Sequence, residues 1–175
     1  MSDAHPIKSP LDSKVILKPN PEGENGDRSN AFLCLIGSLQ YLSTATRPDI
    51  TFAVNRLSAY TANPSMAHYS AAKRILRYLA GMKNLGIKYS RNKAYLELQG
   101  NNPFFGYADT TYANANEYYS TSGFVYLASG GAITWGSRKQ SMITLSSTEA
   151  EYIALSKAMH DAKWLTSLYS ELGFH

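Results

Sequence analysis

The chain has 175 residues, 44% of them apolar and 17% charged, with a net charge of +4. That leaves room for one moderate domain or two small ones and for a packed core, which excludes wholesale disorder. A single cysteine excludes an intrachain disulfide and favours an intracellular setting, cytoplasm or nucleus, and no apolar run approaches the ~18 residues needed to span a bilayer.

Residues 1–28 are rich in Pro, Asp, Asn and Gly and read as an extended or loose leader; its start, MSDAHPIKSP, lacks a signal-peptide pattern, and PNPEGENGDR (19–28) reads as exposed loop. A helix opens near Ser29 with Phe32, Leu35, Ile36, Leu39 and Leu42 at helical spacing, and Cys34 within it reads as a reduced, buried thiol. Pro48 starts a second helix over 48–60, and a third follows over about 66–81, with Ala72, Ile75, Leu76 and Leu79 inward. The period then shortens to two. Gly86–Tyr89 and Tyr95–Leu98 predict a hairpin, Phe104–Ala108 a strand ending at Asp109, and 123–127 with 132–135 two more strands joined by Ser129-Gly130-Gly131. A helix over 147–171 closes the pattern. A boundary near residue 100 separates a mainly helical first part (29–99) from a β-then-α second part (100–175), a mixed α+β or α/β chain.

Charge is unevenly spread. Between Ile50 and Leu96 there is no Asp or Glu, while Lys73, Arg74, Arg77, Lys83, Lys88, Arg91 and Lys93 accumulate and Tyr60, Tyr69, Tyr78, Tyr89 and Tyr95 are interleaved. Such a stretch suits a phosphate backbone and stacked bases, and equally a solvated basic helix whose tyrosines pack in the core.

The closing helix carries Glu149 and Glu151 near its start. With about 100° per residue, Ala154, Ala158, Ala162, Leu165, Tyr169 and Leu172 form an apolar stripe. Glu151 falls inside that arc and is expected to face the sheet; Glu149 faces solvent and is spaced as a capping box with Ser146. A carboxylate in an apolar stripe is costly unless a base, a metal or edge water meets it. Asp109, at a strand end, is the natural companion, and two carboxylates held together suit Mg2+ between them.

These residues resemble a known family. The stretches 106-GYADTTYA-113, 120-STSGFVYLASGGAITWGSRKQSMITLSSTEAEYIAL-155 and 164-WLTSLYSELG-173 resemble the ribonuclease H domain of copia-type LTR retrotransposon Pol polyproteins. In addition, 35-LIGSLQYLSTATRPDITFAVNRLS-58 and 67-AHYSAAKRILRYLAGMKNLGIKYS-90 resemble the end of the reverse transcriptase and its connection in the same polyproteins. The resemblance implies a helical connection segment followed by the first part of a ribonuclease H-like fold: three antiparallel strands and the first helix of a mixed five-stranded sheet. It implies hydrolysis of RNA in RNA–DNA hybrids by two divalent ions, Mg2+ or Mn2+, held by four acids, of which Asp109 matches the first and Glu151 the second. The later acids belong to elements beyond residue 175, and Asp161 sits too far along its helix to replace them. The expectation is an incomplete metal site without turnover and a first strand with a bare outer edge, open to self-association. Thr111 and Tyr112 stand where the family carries Asp and Trp, Glu117-Tyr118-Tyr119 replaces basic residues, and the polymerase aspartates lie upstream of the matching segment.

Four readings follow: a polyprotein piece inactive alone; a non-catalytic nucleic-acid binder using 73–93 and Lys139; a ribonuclease H completed in trans; and a structural protein with no nucleic-acid role. His5, His68, His160 and His175 read as ordinary surface or helix residues, not as ligands.

Overall fold

The computed structural model describes residues 5–12, 15–20, 29–90, 97, 100, 102–112 and 118–173. The chain divides into two compact units, Met1–Gly86 and Ile87–His175.

The first unit is helical: α1 (Ser29–Ala45), a 3-10 turn (Pro48–Ile50), α2 (Thr51–Ser58) and α3 (Met66–Gly81). Each helix buries one stripe. Phe32, Ile36 and Leu39 from α1, Ile50, Ala53, Val54 and Leu57 from the turn and α2, and Ala72, Ile75 and Tyr78 from α3 form one core. Because α1 buries only the stripe through Phe32, Ile36 and Leu39, Cys34 on its other side is exposed, contrary to expectation. The leader is not loose where it is described. Leu17 is buried in the core, Ile7 and Leu11 pack against it, Leu17 O accepts from the Tyr60 hydroxyl at 3.0 Å, and Asn20 Nδ2 donates to Asn63 Oδ1 at 3.0 Å. The loop predicted beyond Asn20 lies outside the described residues.

Two polar devices fasten this unit. Arg47, buried, donates from Nε and Nη2 to Asp49 (2.9 and 2.7 Å) and from Nη1 to Met82 O (3.2 Å), while Tyr78 donates to Asp49 Oδ2 (2.8 Å). Burial alone would raise the Asp49 pKa, but the hydrogen bonds from Arg47 and Tyr78 outweigh it and hold the carboxyl below its ordinary value. At the start of α3, Ser65 and His68 form a reciprocal cap: Ser65 Oγ accepts from His68 N, and His68 Nδ1 accepts from Ser65 N at 2.9 Å. His68 is fully buried and stacked on Tyr60 with centroids 4.0 Å apart, so it is a core residue of its helix.

The second unit is a three-stranded antiparallel sheet in the order β1-β2-β3, with α4 (Ser147–Glu171) packed on it. The strands are β1 (Phe105–Thr111), β2 (Thr121–Ala128) and β3 (Gly131–Lys139). Ser129 (φ 50°) and Gly130 (φ 78°) both take left-handed backbone, the two-residue hairpin turn whose twist matches the flanking strands. Tyr126, Ala158 and Leu165 form the core, with Phe104, Phe124, Ile133, Ala162 and Tyr169 packed around it. The Tyr126 hydroxyl donates to Ala158 O at 2.6 Å, tying sheet to helix. Of the hairpin predicted over 86–98, Gly86–Tyr89 forms no strand, and residues 95, 96 and 98 lie outside the described residues. The 87–90 segment is instead fixed by one backbone bond, Ser90 N to Ser129 O (2.8 Å), and by Tyr89, whose hydroxyl reaches Ala132 O (2.7 Å). The Tyr89 ring fills the space a Cβ on Gly131 would need, 2.5 Å away. No helix among the described residues is long and apolar enough to cross a membrane.

Candidate functional site

The site is built from the start of α4 and from β1. Ser146 caps α4 in extended backbone, its Oγ accepting from Glu149 N at 3.2 Å. The return bond of the expected capping box is displaced by one residue: Glu149 Oε2 accepts from Leu145 N at 2.8 Å, not from Ser146 N. Either way Glu149 is spent on the helix end, where a negative charge also meets the helix dipole favourably.

Glu151 is exposed, not buried against the sheet as the helical wheel implied. The buried stripe at this end of α4 runs through Ala150 and Ala154. Glu151 follows Ala150 by one residue and is therefore turned about 100° away from it. Asp109 is also exposed, and its Oδ1 accepts from Thr110 N at 2.8 Å. The strand does not end at Asp109, because Thr110 and Thr111 pair with Ser122 and Thr121. The two carboxylates nevertheless border the same cleft. Asp109, Glu151, Ala108, Thr148, Tyr152 and Leu155 line one open cleft of about 340 Å³ beside β1, an edge strand among the described residues.

The donors in this cleft are oxygens. Two carboxylates, with solvent free to complete the coordination, fit Mg2+, which is bound through one or two carboxylates and keeps several waters. Among the described residues no group of three or more His, Cys, Asp or Glu side chains could hold a metal ion, so the pair is the whole acidic set there. Burial raises the Tyr126 pKa, and the Asp161 charge adds to the rise.

Behind the cleft lies a buried polar network that sequence reasoning missed. Gln140, just past β3, is 2% exposed; its Nε2 donates to Ser122 Oγ (2.8 Å) and Ala150 O (2.9 Å), with Thr110 Oγ1 at 3.5 Å. Its backbone N–H donates to Ser120 O at 2.8 Å, and Ser120 Oγ meets Thr144 Oγ1 at 3.3 Å. Nothing in the polar run Ser137–Ser141 distinguishes an inward amide from its solvated neighbours.

The basic residues are divided. Lys73, Arg74, Arg77 and Lys83 belong to the first unit, Lys88 and Lys139 to the second, and Arg91 and Lys93 lie outside the described residues. Lys73, Lys83, Lys88 and Lys139 are exposed, while Arg74 and Arg77 are partly buried. The interleaved tyrosines are largely engaged in packing. Tyr78 is buried on Asp49, Tyr60 stacks on His68, and Tyr69 packs against the core with Lys73 Nζ 4.7 Å from its ring centroid. Tyr89 is bonded to Ala132, and Tyr95 lies outside the described residues. Lys139 likewise sits over Tyr119, at 5.2 Å.

No protein-family model matches the chain, and no solved structure matches it significantly. Among curated proteins, the chain is 39% identical over 136 residues to secreted RxLR effector protein 161 of Plasmopara viticola, a match covering 77% of this chain and 91% of that protein. It is 36% identical over 174 residues to the retrovirus-related Pol polyprotein from transposon RE2 of Arabidopsis thaliana, covering 99% of this chain and 11% of that polyprotein. It is 35% identical over 181 residues to the corresponding polyprotein from transposon TNT 1-94 of Nicotiana tabacum, covering all of this chain and 13% of the relative. The chain thus spans roughly a tenth of the length of the transposon polyproteins it matches.

Proposed function

The chain belongs to the copia-type retrotransposon Pol polyproteins, and from that premise we propose that its second unit is the opening part of a ribonuclease H-like fold, carrying two acids of a divalent-metal site for cleaving RNA in RNA–DNA hybrids. The observation that carries this reading is the cleft in which Asp109 of β1 and Glu151 of α4 meet. Both carboxylates are exposed and therefore need no buried countercharge. As carboxylates they are hard ligands, open to an ion arriving with its water shell. A bound Mg2+ or Mn2+ would be held by Asp109 and Glu151 and would supply Lewis-acid activation of water. The residues' own contribution is placement. Ser146 and Glu149 fix the helix end that presents Glu151, and the Thr110–Ser122 pairing fixes the strand that presents Asp109.

Two carboxylates hold such an ion weakly, so residues 1–175 by themselves bind metal without turning over substrate. Exposed Lys73 and Lys83 in the first unit, and independently Lys88 and Lys139 in the second, are the proposed phosphate contacts, each set adding sequence-independent, salt-sensitive affinity for a hybrid duplex.

Mn2+ titration followed by paramagnetic broadening of backbone amides tests the site. Amides around Asp109 and Glu151 broaden together in the wild type and cease to do so in Asp109→Asn or Glu151→Gln. Because both side chains are exposed, these variants leave unfolding stability within about 0.5 kcal/mol of wild type. Failure of Mn2+ to broaden either region removes the metal site. Cleavage of heteroduplex RNA by the 175-residue chain, abolished by Asp109→Asn, removes the claim that the pair is insufficient.

A further inference from the structure

We infer that Gln140 is a positioning residue for the carboxylate pair: its buried side-chain amide sets the distance between the strand that carries Asp109 and the helix turn that carries Glu151. The inference rests on the metal-site reading above.

An amide NH2 has two hydrogens, and both are used in short bonds, to Ser122 Oγ at 2.8 Å and Ala150 O at 2.9 Å. Ala150 immediately precedes Glu151. Ser122 is the register partner of Thr110, which immediately follows Asp109. Thr110 Oγ1, at 3.5 Å from the same nitrogen, adds a weaker third approach. One nitrogen therefore links the neighbours of both acids. The orientation of the amide is fixed by chemistry, because Ala150 O only accepts and a flipped amide would set oxygen against oxygen. Among the described residues the amide Oε1 has no hydrogen-bond partner. A buried acceptor left unpaired is costly, and its retention implies that the donor end is held firmly in place. Gln140 itself is anchored through its backbone N–H to Ser120 O at 2.8 Å. It is not among the residues that line the cleft.

A purely structural role predicts lost stability and nothing else; a positioning role predicts lost coupling between the two acids. The test compares Mn2+ affinity, read by paramagnetic broadening, in a cycle of Asp109→Asn, Glu151→Gln and the double variant, first with Gln140 and then with Gln140→Met. Methionine keeps the length and flexibility of the side chain but has no donor. With Gln140 in place the two acids act as one site, and the double variant loses less than the product of the single losses. In the Gln140→Met background, affinity falls roughly ten-fold, the lower end for residues that orient metal ligands, and the two losses become independent. Unchanged coupling in a variant that is merely less thermostable overturns the inference and leaves the metal site standing. No Mn2+ binding in the wild type overturns both. A measurement on the wild type covers the case in which Gln140→Met does not fold. By linkage, an ion bridging the pair must tighten the bridge behind it, so saturating Mg2+ slows hydrogen exchange at the Gln140 side-chain amide. An unchanged rate at metal saturation also overturns the inference.

Discussion

Replacing Arg47 by methionine tests the account of the first unit most directly. The wild-type guanidinium donates twice to Asp49 and once to Met82 O, and its side chain is 9% exposed against 24% for Asp49. Methionine fills much of the space but leaves the carboxylate with the Tyr78 hydroxyl as its remaining charge-stabilising donor from this cluster. It also removes the Arg47 donor from a carbonyl at the end of α3. Removing one partner of a buried ion pair costs about 3–5 kcal/mol. Asp49 retains some water, so the expectation here is about 2–3 kcal/mol. For a unit of this size that lowers the midpoint by about 10–20 °C. Trp135 and Trp164 both lie in the second unit, so their fluorescence follows that unit, and hydrogen exchange across α1 and α3 follows the first. Arg47→Met with Asp49→Leu should recover most of the loss, because no uncompensated charge remains. The pH dependence has a definite sign. A carboxyl whose native pKa is depressed contributes stability above the unfolded carboxyl's value, about 3.9, and loses it as pH falls through the lower native value. That acid slope disappears in Arg47→Met. A loss under 0.5 kcal/mol, or a double variant no better than the single, refutes the reasoning.

Further outcomes are expected elsewhere. Burial lowers the His68 pKa, only partly offset by the Lys18 backbone; its contribution is therefore present above the unfolded value near 6.5 and lost as pH falls below it. In His68→Gln that part of the pH–stability curve flattens while the α3 cap persists. In Gly106→Ala the new Cβ would collide with the Tyr126 ring and meet Val125 O at 2.9 Å, and a ring tethered to Ala158 cannot swing aside. The second unit should lose about 2 kcal/mol in a urea melt read by tryptophan fluorescence. Ser146→Ala should cost about 1 kcal/mol, with exchange accelerated at the Glu149 amide.

Periodicity and caps made the helices legible. The expected spans 66–81 and 147–171 match α3 and α4, whose starts are marked by Ser65 and Ser146 ahead of regular apolar spacing. The strands were found but read short, since Thr121 and Ser122 at one end and Arg138 and Lys139 at the other are paired residues of polar character. Asp109 and Glu151 were legible as a pair, but the burial of Glu151 was not. The wheel centred the stripe on the whole helix, whereas its first turn packs through Ala150 and Ala154. Cys34 misled because apolar residues surround it in sequence, so nothing marks which side of α1 is open. Gln140 carried no local signal, since its role comes from partners ten and eighteen positions away.

The exposure of Cys34 has a practical corollary. It is the chain's sole thiol, so a maleimide dye or nitroxide attaches at one known point on α1, with no competing sulfhydryl to block. Amide signals across the first unit then acquire a distance ruler anchored on α1, and loosening of its core in Arg47→Met reads out directly as a change along it.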